Sequence, residues 1–246
     1  MYNDYMYLVL HFPVRTKYLH KHIIVEKEVD FVVGKKFIIT TKYDTIESLH
    51  NFSKIFETNS ILDKNGLGEH AGFVFYYMVK SLYRNALHDL ELILSKLLTS
   101  EKHVFNGEEK QMVQALSEIS RELIDFRQIT RNHSEILNSL HEPSKKLFGP
   151  TFEHYIDSIK TEFEKTHESI GHARELLSDL RVTNDSLLST KQNETIKTLT
   201  IMAFITFPLS LIADLFSMNT AHAPIIGGDY DFEIIFAIML SATEEK

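Results

Sequence analysis

Between Thr151 and the apolar run that begins at Leu199, nothing in the sequence stops a helix. Phe152, Ile156, Ile159, Phe163, Ile170, Ala173, Leu177, Leu180 and Leu187 recur at steps of three, four or seven. That is a heptad seam of about five heptads, the pattern of a coiled coil or stalk. Continued to Asn219, the helix would be roughly 100 Å long at ~1.5 Å per residue. A compact globular domain does not hold such a helix, whereas a stalk entering a membrane does. The seam predicts that this helix has partners.

The end of the helix sets its surroundings. Leu199–Met218 reads LTIMAFITFPLSLIADLFSM, and a bilayer is crossed by about 20 predominantly apolar residues. Pro208 is compatible with a membrane helix, where neighbours and local adjustments satisfy the backbone. A buried core helix is the competing reading, and Asp214 and Pro208 fit it. At ~100° per residue, Thr206, Ser210, Asp214 and Ser217 fall within about 40° of a common direction, and Thr200 lies slightly further round. A polar stripe at bilayer depth turns toward a water-filled path or a partner helix. One helix cannot enclose a path, so the stripe predicts an oligomer. Alternatively, Ser and Thr bond back to carbonyls of their own helix, an explanation that does not extend to Asp214.

A second apolar run, Phe232–Ala242, has 11 residues and is flanked by Glu233 and Glu244-Glu245-Lys246. It is too short to span. Between the two runs lies Thr220–Asp231, with Pro224, Gly227 and Gly228.

Upstream, Tyr5–Phe12, Glu28–Val33 and Lys36–Thr41 are rich in aromatic and β-branched residues and read as strands, with Gly34 at a turn. Thr45–Thr58 carries Ile46, Leu49, Phe52 and Phe56 at helical spacing. One long helix follows from Glu69 to the Asn106-Gly107 break. A second covers Glu108–Leu140 and is ended by His141-Glu142-Pro143, because the residue before proline disfavours the α region.

Composition removes several functions. A net charge of −8 argues against nucleic acid, whose phosphates call for clustered Lys and Arg. The absence of Cys excludes disulfides and thiolate sites. Thirteen histidines are scattered without a His-Glu-x-x-His or paired i, i+4 motif. No nucleophile elbow, phosphate loop or paired catalytic acid is present, so no enzyme is expected.

Asn193-Glu194-Thr195-Ile196-Lys197-Thr198-Leu199-Thr200, then Phe207-Pro208-Leu209, then Ser217-Met218-Asn219, resembles the pore-helix signature of the CorA magnesium-transporter family. The intervals match without a gap. The order of an α/β domain, two long helices and a very long stalk helix is similar too. The resemblance runs from about Tyr5, starts inside the family's N-terminal domain and meets a short second membrane helix. It therefore implies a member shortened at both ends.

What the resemblance implies is a homopentameric divalent-cation channel in a membrane (cell inner or plasma membrane), with the N-terminal domain cytoplasmic. Its cargo would be Mg²⁺, with Co²⁺ or Ni²⁺ as other candidates. The pore-lining positions would be Asn193, Ile196, Leu199, Ala203, Phe207, Ser210 and Asp214, and the selectivity motif Ser217, Met218 and Asn219. Ile196, Leu199 and Phe207 would form apolar rings that gate by dewetting. Asn219 and Asp214 are the candidate metal ligands of the path, and Asn219 would hold Mg²⁺ with its water shell. Cytoplasmic carboxylates of the family bind regulatory Mg²⁺, and one such aspartate matches Ser158 here, with Asp157 beside it as a third candidate ligand. Asp157, Glu162, Glu164, Glu168, Glu175 and Asp179 also read simply as a solvated stalk face.

Two departures stand out: Ser217 and Asp214 both replace glycines of the family pattern. They keep open a non-conducting relative, a soluble coiled-coil oligomeric scaffold, or an adaptor anchored by one span. The expected fold is mostly α with a small N-terminal α/β part, and a long stalk helix continuing into a transmembrane pore helix. The expected segments are a partial α/β cytoplasmic domain (1–66), long antiparallel helices (67–150), the stalk (151–198), the first transmembrane helix (199–219), an outer loop (220–231) and a truncated second membrane helix (232–246).

Overall fold

The computed structural model describes residues 4–19, 21–42, 49, 53–54, 70–217 and 230–244. Three antiparallel strands, β1 (Tyr5–Tyr18), β2 (Lys21–Gly34) and β3 (Ile38–Lys42), form a sheet in the order β1-β2-β3. Helices α1 (Gly72–Phe105), α2 (Glu109–Thr130), α3 (His133–Ser139) and α4 (His141–Phe148) follow, then a 3₁₀ turn at Pro150–Phe152, α5 (Glu153–Ser217) and α6 (Asp231–Glu244). The fold is mostly helical with a small N-terminal sheet. Two compact units result, Met1–Asn184 and Asp185–Lys246.

The hairpin is longer than alternation alone suggests. Strand β1 passes Pro13 and stays in register with β2 to the Tyr18↔Lys21 pair. An edge strand tolerates proline, because the missing N–H leaves no ladder bond unmade on its outer side. Met6, Leu8 and Leu10 sit opposite Val33, Phe31 and Val29 on one buried face. Against this face pack Phe75, Tyr76, Val79, Leu82 and Tyr83 of α1, Leu137 of α3 and Ile156, Ile159 and Phe163 of α5. Of the helix expected over Thr45–Thr58, only Leu49, Ser53 and Lys54 are described, all helical; the rest lies outside the described residues.

Two sequence expectations are corrected. The helix read as Glu108–Leu140 is interrupted after Thr130, whose hydroxyl bonds back to the Phe126 carbonyl at 3.0 Å. Pro143, expected to end it, instead lies in the first turn of α4. There its absent N–H would have had no partner within the helix. The actual stop is Gly149 at φ 96°, a conformation that side chains disfavour, with Pro150 opening the next turn.

The second correction concerns the heptad seam. Ile156, Ile159, Phe163, Thr166, Ile170, Ala173, Leu177, Leu180 and Asn184 are buried within this one chain, at alternating steps of three and four. Tyr83 of α1 meets Phe163 edge-on at 6.0 Å, and the Arg181 guanidinium donates to the Leu116 carbonyl of α2 at 3.4 Å. The partners demanded by the seam are therefore the chain's own α1 and α2. Leu187, at the end of the expected seam, is only partly buried.

Candidate ion path on the long helix

Past Asn184 the helix changes character. From Ser189 to Met202 every residue is exposed, although Ile196, Leu199, Ile201 and Met202 are apolar. An 18-residue window of the helix has mean hydropathy 2.0 and is not buried at all. A lone surface with that much apolar area is covered by lipid or by other copies. At ~1.5 Å per residue, the 65 residues of α5 extend ~97 Å. The 14 residues of α6 reach only ~21 Å, short of a ~30 Å hydrocarbon core.

Asn193, Ile196, Leu199, Ala203, Phe207, Ser210 and Asp214 all fall on α5. Their steps of three and four keep them within a sector of ~120°. All are exposed except Ala203, which is half-buried. Phe207 is 75% exposed, more than Ile196 and Leu199 at 60% each. A shallow apolar groove beside this stripe is lined by Thr200, Ala203, Phe204, Phe207, Pro208 and Leu211.

The threonines of the stripe are partly accounted for within the helix. Thr200 donates to the Ile196 carbonyl and Thr206 to the Met202 carbonyl, each at 2.8 Å. Such back-bonding lets a hydroxyl lie in an apolar setting without a partner helix. Asp214 has no comparable explanation and remains exposed. Ser217 ends the helix; Met218 and Asn219 lie outside the described residues.

Asp157 belongs to the Met1–Asn184 unit. Its Oδ1 lies 3.5 Å from His141 Nε2, while Glu153 lies 3.8 Å from Nδ1 of the same ring. Ser158 turns the other way, with its hydroxyl 3.2 Å from that of Tyr76. Lys80 donates to the Tyr76 hydroxyl at 2.8 Å and lies 3.6 Å from Glu162. Burial raises the Tyr76 phenol, but hydrogen bonds with Lys80 and Ser158 outweigh it and leave the pKa below its ordinary value. The Tyr76 hydrogen bond leads the effects that raise Lys80. This network escaped sequence reading. Its signal was two i, i+4 pairs, Tyr76/Lys80 and Ser158/Glu162, whose facing only the packing of α1 on α5 reveals.

A family model described as CorA-like Mg²⁺ transporter protein matches residues 1–243. The chain belongs to that family. CorA-like proteins are transporters rather than enzymes. The cobalt/magnesium transport protein CorA of Thermotoga maritima is 23% identical over 244 residues, covering 97% of this chain and 66% of that protein. The putative metal ion transporter YfjQ of Bacillus subtilis is 24% identical over 246 residues, covering 97% of this chain and 72% of that protein. This CorA-like chain thus spans about two thirds of the length of the Thermotoga relative. Among solved structures, the CorA magnesium transporter of Methanocaldococcus jannaschii superposes with a TM-score of 0.78 at 15% identity, over 96% of this chain and 73% of that one. The full-length CmaX protein superposes with a TM-score of 0.67 at 13% identity, over 99% and 72%. At these identities the structural matches establish the fold.

Proposed function

We propose that the chain carries divalent cations, Mg²⁺ first and Co²⁺ or Ni²⁺ as alternatives, across a membrane as a homopentamer. Five copies of α5 would enclose the path, lined by Asn193, Ile196, Leu199, Ala203, Phe207, Ser210 and Asp214. The N-terminal unit would face the cytoplasm. Ile196, Leu199 and Phe207 would make apolar constrictions that open by wetting. Asn219 would hold the hydrated ion at the outer mouth, where Mg²⁺ keeps most of its water. Asp157 would serve as a regulatory Mg²⁺ ligand, in competition with its contact to His141. The observation that carries the reading is the exposed stretch of α5 after Asn184, with its candidate lining residues on one stripe. Membership in the CorA-like family supports the choice of cargo.

The competing soluble coiled-coil scaffold would use the heptad seam between chains, but that seam is already filled within one chain. A non-conducting relative would keep the assembly without flux. Uptake in a transport-deficient host tests the proposal. Wild type should take up Mg²⁺, Asn219→Ala should abolish uptake, and Ser217→Gly should raise it by freeing the helix end. Equal uptake by all three forms would remove the tripeptide from the filter. No uptake by any form, with the protein present in the membrane, would favour the non-conducting relative.

A further inference from the structure

The buried seam of α5 leaves the helix's charged residues on its open side, and they are sorted by sign. Lys160, His167, Arg174 and Arg181 recur every seven residues along one edge, beside the seam. Glu164, Glu168, Glu175 and Asp179 are all exposed and lie opposite the seam. At ~100° per residue the two groups centre about 100° apart around the helix. A helix that is simply solvated gains support from opposite charges at i, i+4. Here Glu164 with Glu168, and Glu175 with Asp179, are i, i+4 pairs of like charge, which weaken the helix that carries them.

Among the described residues, no ion pair engages Lys160, Arg174, Glu164, Glu168, Glu175 or Asp179. Arg181 gives one N–H to the Leu116 carbonyl at 3.4 Å and keeps further donors. Lys165, the cation beyond the acidic edge, turns to Glu162 at 3.7 Å. A closed ring of copies is built on a heterologous contact, in which two different faces of each copy meet. In a ring of four to six members, each stalk meets its two neighbours in directions about 90–120° apart. The two edges of α5 are separated by that much. For an axis along the stalk, rotation leaves every level unchanged, so Arg174 of one copy faces Glu175 of the next. Lys160 and Glu164 differ in level by ~6 Å, and Arg181 and Asp179 by ~3 Å, which these side chains can span.

We propose that α5 closes the assembly through its own charged edges, with Lys160, Arg174 and Arg181 of one copy lying against Glu164, Glu175 and Asp179 of the next. The contact rests on the oligomer proposed above, and it gives that oligomer a surface and a sense of rotation. A second copy fits because one helix carries both complementary edges at matching levels. Charged pairs between neighbouring helices set partner choice and orientation. Cations from the next copy also relieve the repulsion within the two like-charged Glu/Asp pairs. All six residues belong to the Met1–Asn184 unit and none to the candidate ion path, so the contact does not depend on whether the chain conducts.

Charge reversal on the full chain in mild detergent tests the contact, with native mass spectrometry at low and high salt as the readout. Wild type should form a closed oligomer at low salt and lose part of it as salt screens the edges. Lys160→Glu combined with Arg174→Glu should shift the population to monomers and open chains. Glu164→Lys combined with Glu175→Lys should do the same. A chain carrying all four reversals should reassemble, because each edge again meets its opposite. Lys160→Gln with Arg174→Gln removes charge without adding repulsion and should give a smaller loss than the reversal. Circular dichroism checks that every variant is folded. Full assembly of either reversed pair would overturn the contact and leave the oligomer standing. A folded four-site variant that stays apart would overturn the pairing as well. A monomeric wild type would remove the oligomer itself, and the contact with it.

Discussion

His133 opens α3 and is 1% exposed, with Nδ1 2.8 Å from the Tyr83 hydroxyl and its ring 5.3 Å from Phe12 and 6.0 Å from Phe163. Burial favours the neutral imidazole and lowers its pKa from 6.5 to about 4, with the nearby His11 backbone opposing the shift and the His11 side chain adding to it. In the unfolded chain the same ring titrates near its ordinary value. Between the two values the unfolded state holds the extra proton, so stability falls as pH drops from about 6.5 toward 4. Below about 4 both states are protonated and this contribution levels off. Going from pH 7 to pH 5, the loss from this one group is about 2 kcal/mol. For a unit of this size it lowers the melting temperature by about 4–8 °C. His133→Gln removes the titration while keeping a side chain able to meet Tyr83. Thermal melts followed by circular dichroism at the two pH values, on both proteins, isolate the effect from the other histidines. Wild type should lose about 4–8 °C more than the variant on acidification. An equal loss in both would show that His133 is not held neutral in the folded state, and the burial argument would fail with it.

Phe163→Ala removes a buried ring that meets both Tyr83 and His133. It should cost about 3–5 kcal/mol in urea unfolding, because the hairpin and helices cannot close the cavity. An ionised carboxylate facing lipid costs at least ~2.5 kcal/mol, so Asp214 should face inward in an assembly, where a divalent ion offsets the repulsion among copies. Mg²⁺ should therefore raise the melting temperature of the oligomer, and Asp214→Asn should lose part of that gain while still assembling. Identical melts at every Mg²⁺ concentration would remove Asp214 as an ion site. Native mass spectrometry in mild detergent should give a closed homo-oligomer, five copies by the proposal, and a monomer would refute it.

Much of this protein was legible in one dimension. The long helix, its apolar end, the small sheet and the family resemblance all follow from local patterns: a helical period, a run long enough to span, and an ungapped signature from Asn193 to Asn219. Such patterns state which face of an element is apolar, because the period belongs to the helix or strand itself. They do not state what covers that face. The heptad seam of α5 therefore pointed to partners, and only the tertiary structure decided that these are α1 and α2 of the same chain. Pro143 read as a stop because the residue before proline disfavours the α region. Its place in the first turn of α4 is one where the missing N–H is not needed, and packing determines that place. The junction of Tyr76 with Ser158 lies beyond sequence reading for the same reason. It joins residues far apart in the chain, and its distance is set by helix packing rather than by any local preference.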